Sequence, residues 1–530
     1  MDQIAHGRPR CSNDDVALKS FFLGPQAENK DWVQYQVFHI FKSYFEWRMK
    51  VHPEDGRAIS GGDQAVAEFK AQQDHTEELL TNLAHRFEGE IPKFSPRYIG
   101  HMFSEISLPA LFGHILTVLH NPNNISMESA KVGVEIENEA LQALAVMVGF
   151  EKPYGHFTSG GTVANFEMLF RARARVQELH GSSRDAVLMV PAHKHYSWTK
   201  GAFVFGVENL WTIPLDETGH LDLVELEKMI DRANSEKKPI LGVVSVAGTT
   251  EMGLLDPIHK VADLLDRKTS LGNEIWHHID AAYGAFFRTL LGPDEKVQCT
   301  LAEVAVQSLA AMSRATSITM DPHKLGYVPY ASGVFICRRW EDYRIVAFGA
   351  PYVDFSEKSD KGLFTLEGSR SASGAVATWM TAGAVGFNQF GYGRILARTI
   401  RLRRELSEKL ALLDDVRVAP FAETNLLCFA LARPGEKTSV SNARTLALYE
   451  KLNLDGAPFF VSKTRLAFGE NAAYAKYLKK WSAAWGAEVN SEDLVLIRLC
   501  IMNPFLGSKE LKSDLLGEFV ELVGAATRAG

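Results

Sequence analysis

The sequence predicts an α/β chain: a large, mostly parallel sheet covered by helices, then a smaller C-terminal α+β unit. Three observations predict it. From about residue 135 onward, short apolar runs alternate with helical patterns, as strand–helix–strand units do. Side chains capable of chemistry fall just after several of those runs: His195, Thr250, Asp280 and Lys324. A long helical pattern over 391–413 then gives way to two more strand-like runs.

The first strong pattern is a helix over 29–50, "NKDWVQYQVFHIFKSYFEWRMK", where Val33, Val37, Ile40, Phe41, Tyr44 and Phe45 recur at steps of three and four. Its aromatic load exceeds what one face within a monomer needs. Plain core packing and a dimer interface both account for it. Strands are expected at 186–190, 239–248, 274–280, 317–320 and 333–337, with helices at 163–179 and 257–268. In an open α/β sheet, ligands bind at the carboxyl ends of strands, so reactive side chains there should converge. The C-terminal unit follows the 391–413 helix with strands at 425–432 and 494–502. Its arginines at 394, 398, 401, 403 and 404 are expected on a solvated face.

With 530 residues, 46% hydrophobic and 23% charged, the composition is that of an ordinary globular protein. That length allows two to four domains of about 100–200 residues each. A net charge of −7 opposes nucleic-acid binding and gives no general attraction to anionic membranes. The five cysteines are scattered without CxxC spacing, so neither a disulfide framework nor a redox pair is expected. The N-terminus lacks an apolar signal core. No apolar run reaches the roughly 18–20 residues of a membrane span. A cytoplasmic location is expected.

Four motifs carry chemistry. "SITMDPHKLGYVPYASG" (317–333) places Lys324 just beyond a buried-looking strand, between His323 and a glycine two residues on. A surface lysine needs no such setting; one that bonds to a carbonyl compound does. "FTSGGTVANFEMLF" (157–170) is a glycine-rich turn opening a helix, a phosphate cradle at Gly161 and Thr162. A capped helix after a tight turn would look the same. "HHIDAAYGA" (277–285) ends a strand at Asp280, with Ala282 small enough to lie against a ring. Asp280 would otherwise cap the next turn. His277 and His278 point to opposite faces of a strand and cannot share a metal; no metal is expected. "PAHKHYSWTKGA" (191–202) offers His195 for stacking on a planar ring, with His193 on the same face if the strand continues.

In combination these describe a site for pyridoxal 5′-phosphate. Lys324 would hold the aldehyde covalently. Asp280 would face the pyridine nitrogen. Thr250 would reach the ring hydroxyl, and His323 would lie near the phosphate.

On these motifs the chain resembles the group II pyridoxal-phosphate amino-acid decarboxylases, over roughly residues 90–505. In that family the lysine lies in an N/D/S-x-H-K segment, here "DPHK". The "DPHKLGYVPY" form and "SPRYIGHMFSEISLPALFGHILTVLHNPNN" (95–124) look similar to microbial tyrosine-type enzymes, and methionine- and valine-type enzymes match comparably. The resemblance implies an aspartate-aminotransferase-type fold (fold type I). Its expected divisions are an N-terminal dimer-forming segment (1–108), a large cofactor-binding domain (109–383) and a small C-terminal domain (384–530). It implies a homodimer acting on a small-molecule amino acid. Tyr352 would sit on a mobile loop closing over the partner's site and return a proton to Cα, with His195 in support. Ser369 would donate a phosphate ligand across the dimer. Arg498 would bind the substrate carboxylate, and His101 and Met102 would line the side-chain pocket. The expected reaction is α-decarboxylation of a neutral, bulky L-amino acid. An acidic substrate, a same-fold aldehyde synthase or transaminase, a lyase of phosphorylated amino alcohols and a non-catalytic binding protein stay open beside it.

Overall fold

In the computed structural model, residues 14–269, 274–298, 300–349, 360–454 and 456–528 are described. Among them, seven strands form one sheet in the order β1-β7-β6-β5-β4-β2-β3. These are β1 (Tyr154–Thr158), β2 (Val187–Pro191), β3 (Asn209–Ile213), β4 (Ile240–Val246), β5 (His277–Ala281), β6 (Ser317–Met320) and β7 (Gly333–Cys337). Strands β3, β2, β4, β5 and β6 run parallel. β7 runs antiparallel to both β6 and β1. Unbroken apolar runs become strands buried on both faces: every residue of β2, β5, β6 and β7 is buried. The period of two is visible on β7. Val334 and Ile336 join the core on one side of the sheet, and Phe335 and Cys337 the core on the other.

Because these strands are parallel, the segments after Pro191, Val246, Ala281 and Met320 all emerge at one edge of the sheet. The turn before the Gly161–His180 helix is brought to the same edge by a close backbone approach. A Cβ on Gly333 would lie 2.4 Å from the Gly160 Cα, so only glycine lets the turn cross the start of β7.

A second, antiparallel sheet has the order β10-β11-β9-β8, from β8 (Val416–Val418), β9 (Leu426–Leu431), β10 (Ser462–Ala467) and β11 (Asp493–Cys500). The Thr438–Lys451 and Leu515–Arg528 helices contribute to the core on one face, and the Ala475–Ala484 helix to the core on the other. The Tyr392–Ala411 helix joins the two units. Tyr392, Ile395, Leu396 and Ile400 enter the large core, and Leu406 and Leu410 the small one.

That helix corrects the expectation of a solvated arginine face. Arg401 is exposed, but Arg403 is buried and donates from Nε to the Thr424 carbonyl at 3.0 Å. Arg404 donates to the Thr300 carbonyl and Arg398 to the Leu506 carbonyl. Burial holds the Arg403 guanidinium down at about 10. Neither of the 21-residue helices Lys30–Lys50 and Ala67–Phe87 has a buried residue. The first leans on the Leu108–His120 helix through Trp32 against Phe112, ring centroids 5.4 Å apart. Tyr35, Phe38 and Phe45 on it are exposed, which overturns plain core packing as the reason for its aromatic load. Among the described residues, no helix is long and apolar enough to cross a membrane.

Candidate active site

One cavity of about 320 Å³ lies at the carboxyl edge of the large sheet. Its lining brings together Gly161, Thr162, His195, Thr250, Asp280 and Lys324. Ala282 and His323 border it as well.

Asp280 is the penultimate residue of β5 and is buried. Its Oδ2 accepts from Asn165 Nδ2 at 2.9 Å and from Trp198 Nε1 at 3.0 Å. Two donors fixed on one oxygen aim the carboxylate. Sequence reasoning missed both; they lie near the starts of helices that follow strands, Asn165 in Gly161–His180 and Trp198 in Ser197–Val204. Asn165 also donates to Ser197 Oγ at 3.0 Å, and that hydroxyl lies 2.9 Å from His195 Nδ1. The Ser197 backbone N–H donates to the same Nδ1 at 3.2 Å. An accepting Nδ1 puts the imidazole proton on Nε2. Burial lowers the affinity of His195 for a second proton, and Lys324 adds to this against Asp280 and Asp321, so the ring is neutral at neutral pH.

The strand stops at Pro191, so no strand face is shared, but His193 still lines the same cavity as His195 while its Nε2 meets Asp256 Oδ1 at 3.0 Å. The strand histidines are both buried: His277 meets Ser245 Oγ at 2.9 Å and His278 meets Ser317 Oγ at 2.8 Å.

Lys324 lies four residues after β6, and its Nζ is 3.1 Å from Asp321 Oδ2. Asp321 was not singled out from the sequence. It is buried, and its Oδ1 has no partner. His323 stacks on Tyr330 with ring centroids 4.2 Å apart, and its Nδ1 accepts from Ser332 N–H.

The residues assigned from the resemblance are less uniform. Arg498 on β11 is buried, donating to Ser462 Oγ at 3.0 Å and the Thr250 carbonyl at 2.6 Å. Its Nη2 meets His101 Nδ1 at 3.3 Å. It stands behind Thr250 rather than on the cavity wall. His101 is exposed and lies beside Arg498, again outside the lining. Met102 is buried in the large core and is not part of this cavity's lining; it packs in the cluster that contains Phe22 and Tyr327. Ser369 is exposed and accepts from Asn123 Nδ2 at 3.0 Å, away from this cavity. Tyr352 lies outside the described residues.

A family model described as the pyridoxal-dependent decarboxylase conserved domain matches residues 62–432. The chain belongs to that family. This decarboxylase is 30% identical to the L-tyrosine decarboxylase of Enterococcus faecium, over 75% of this chain and 77% of that protein. It is 24% identical to the aspartate 1-decarboxylase of Aliivibrio fischeri, over 86% of this chain and 83% of that protein. Its fold matches the crystal structure of mouse CSAD with a TM-score of 0.69 at 20% identity, covering 94% of this chain and 98% of that one. The decarboxylase is thus a carbon–carbon lyase of fold type I that depends on pyridoxal 5′-phosphate.

The cavity suits that cofactor. At one end the Gly161–His180 helix presents first-turn N–H groups, which have no partner within a helix. A Cβ on Gly161 would come 2.8 Å from Asp321 Oδ2 and 3.1 Å from Ala282 Cβ, so a larger residue would fill the cradle. A carboxylate held by two donors and the primary amine of Lys324 stand on the same cavity wall.

Proposed function

We propose that this decarboxylase removes the α-carboxylate of an L-amino acid with a neutral, bulky side chain, releasing an amine and CO2. Tyrosine-like side chains and large aliphatic or thioether groups such as methionine are the favoured class. The convergence of Lys324, Asp280, His195 and the Gly160–Gly161 turn on one cavity carries the reading. Lys324 would anchor the cofactor aldehyde covalently. Gly161, Thr162 and His323 would hold its phosphate, Thr250 its ring hydroxyl, and Ala282 would lie against the ring. The bound cofactor supplies an electron sink for the pair left when the Cα–carboxylate bond breaks.

This chain's residues do the rest. Asp280 would keep a proton on the ring nitrogen, its own geometry fixed by Asn165 and Trp198. The neutral His195 would stack on the ring face, and Tyr352, assigned from the family resemblance, would return a proton to Cα. Orientation selects the bond that breaks. Arg498 engages three protein acceptors or neighbours. A guanidinium has five N–H groups, which leaves two for the substrate's α-carboxylate. His101, exposed on one side, has its proton affinity lowered by partial desolvation of the ring and by the Arg498 charge. That pair therefore offers no spare cation to a side-chain carboxylate, which favours neutral substrates.

The aspartate-named relative keeps an acidic substrate as the second reading. An amino-acid panel scored for CO2, amine and aldehyde tests both. Neutral bulky amino acids are expected to yield amine and CO2 in equal amounts. CO2 from aspartate or glutamate alone, or aldehyde in place of amine, would overturn the proposal.

A homodimer is part of the same proposal. The exposed aromatic face of the Lys30–Lys50 helix needs a cover. Ser369, exposed and outside the lining of its own cavity, would serve a partner's. Replacing both Phe38 and Phe45 by lysine is expected to yield a monomer in sedimentation with little activity; a fully active monomer would refute the dimer. Cys337, Cys428 and Cys500 are buried free thiols, in keeping with a cytoplasmic location.

A further inference from the structure

A second cavity, of about 190 Å³, meets the first at Lys324, His323 and Tyr330, which border both. Its far walls come from the segment after β6 and from the loop before the Leu108–His120 helix. Phe103, Ile106, Val328 and Tyr330 make it largely apolar. Two groups break that surface: the Glu105 carboxyl and the Ser104 hydroxyl, whose Oγ is buried without a partner. Lys93 at its border is already paired with Glu90 at 3.4 Å and sits over the Phe103 ring at 5.6 Å. The chamber thus opens from the reacting amine, on a different side from the Asp280 wall.

We propose that this chamber receives the substrate side chain, and that Glu105 is the specificity-determining residue that rejects a side-chain carboxylate and accepts an uncharged group able to donate a hydrogen bond, such as a phenolic hydroxyl. The inference rests on the decarboxylase reading above. The physical ground is like-charge repulsion where water is scarce. Two carboxylates brought together in a half-buried chamber cannot both stay ionised without a large cost. A phenol or other hydroxyl meets the same carboxylate as a donor meets an acceptor. One Glu105 oxygen is already fixed, accepting from Ile106 N–H at 3.0 Å.

Selectivity should then follow the charge on Glu105. Burial pushes its carboxyl up to about 7, against the Ile106 hydrogen bond. The charged or titratable groups facing it are Lys324 and His323, Lys93 at the rim, and the Tyr327 and Tyr330 phenols. His323 is held neutral chiefly by burial, and burial pushes the Tyr330 phenol up to about 12 and Tyr327 higher still. Of these, Glu105 changes charge near neutrality. A carboxyl with a raised value is neutral below it and anionic above it. A substrate's side-chain carboxylate, at about 3.9 when unperturbed, is ionised throughout that window.

The test measures kcat/KM for the best neutral substrate and for aspartate between about pH 6 and pH 8, a window that brackets the raised value of Glu105 and lies above that of an unperturbed carboxylate. Where aspartate is not turned over, its inhibition constant replaces kcat/KM. In the wild type, preference for the neutral substrate is expected to rise about tenfold across that window, as about 1.4 kcal/mol would give. Glu105→Gln is expected to flatten the profile and to lower the preference at the alkaline end by a similar factor. An unchanged preference in Glu105→Gln overturns the assignment. If that variant does not fold, a flat wild-type profile overturns it alone. A wild type that releases CO2 but shows neither effect sinks only the role of Glu105; one that releases no CO2 from any amino acid sinks the decarboxylase reading with it.

Discussion

Lys324→Arg is expected to fold, to take up no covalently held cofactor, and to release CO2 more slowly than the wild type by at least about 10²–10⁴-fold, the range typical for loss of one essential reacting group. Arginine is the informative choice. Lys324 Nζ is paired with the buried Asp321 at 3.1 Å. Alanine would remove that counter-charge from a carboxylate whose other oxygen is already unpartnered. Breaking a buried pair on one side costs about 3–5 kcal/mol, so an inactive alanine variant could be inactive through instability. A guanidinium keeps the charge but stays protonated and cannot attack an aldehyde. Visible absorbance of the purified protein and borohydride trapping read out cofactor attachment. Circular dichroism reads out the fold. Wild-type CO2 release from Lys324→Arg would remove the central residue from the mechanism.

Much of this site was legible because its parts sit at strand ends. β6 and β7 fall on the expected 317–320 and 333–337, and β4 and β5 overlap the expected runs. Unbroken apolar stretches bounded by glycine and polar residues leave little freedom in where a buried strand stops. Once the strands are parallel, the residues after them must share an edge. What could not be read is what each side chain meets across the fold. Nothing local marks Asn165 and Trp198 as the donors that aim Asp280. Asp321 looks like turn chemistry before a proline, and only the folded chain brings its carboxylate onto Lys324. Arg403 looks solvated because its helix is rich in charge, yet the carbonyl of Thr424 lies against that face. Met102 adjoins residues that border the 190 Å³ cavity, but its own side chain is buried in the core. Periodicity tells which face of the Lys30–Lys50 helix is apolar; it does not tell what covers that face.

Arg370→Leu is expected to lower stability by about 3–5 kcal/mol, more than an ordinary core substitution, because it strands a buried carboxylate. Glu137 and Arg370 are both almost fully buried, with Nη1 2.6 Å from Oε1. Hydrogen bonds surround the pair, though Asn124 Oδ1 and Arg370 Nε beside it are buried without a partner. Glu137 accepts from Phe157 N–H at 2.9 Å and from Asn124 Nδ2 at 2.9 Å. Arg370 donates to the Phe157 carbonyl at 3.2 Å and the Asn124 carbonyl at 2.7 Å. The pair therefore clamps β1 and the Met127–Val148 helix to the segment that carries Ser369. Burial alone would raise the Glu137 carboxyl, but Arg370 and the hydrogen bonds hold it below its usual range. A lowered carboxyl contributes stability above the unfolded value, about 4.3, and loses it as pH falls through the folded value. Without Arg370 the desolvated Glu137 should take up a proton more readily. The deficit of Arg370→Leu, read as the shift in urea midpoint, should then be largest near neutrality and shrink toward pH 4. Glu137→Leu added to Arg370→Leu should recover much of the loss, since a buried ion pair and a packed apolar pair can be nearly equal in stability. A double variant no better than Arg370→Leu would mean that the hydrogen bonds to Phe157 and Asn124, rather than the charge pair, hold this corner. In that case the cradle next to it should loosen too, because Glu367 in the same segment accepts from Ser159 N–H at 3.3 Å, and cofactor affinity would fall in step with stability.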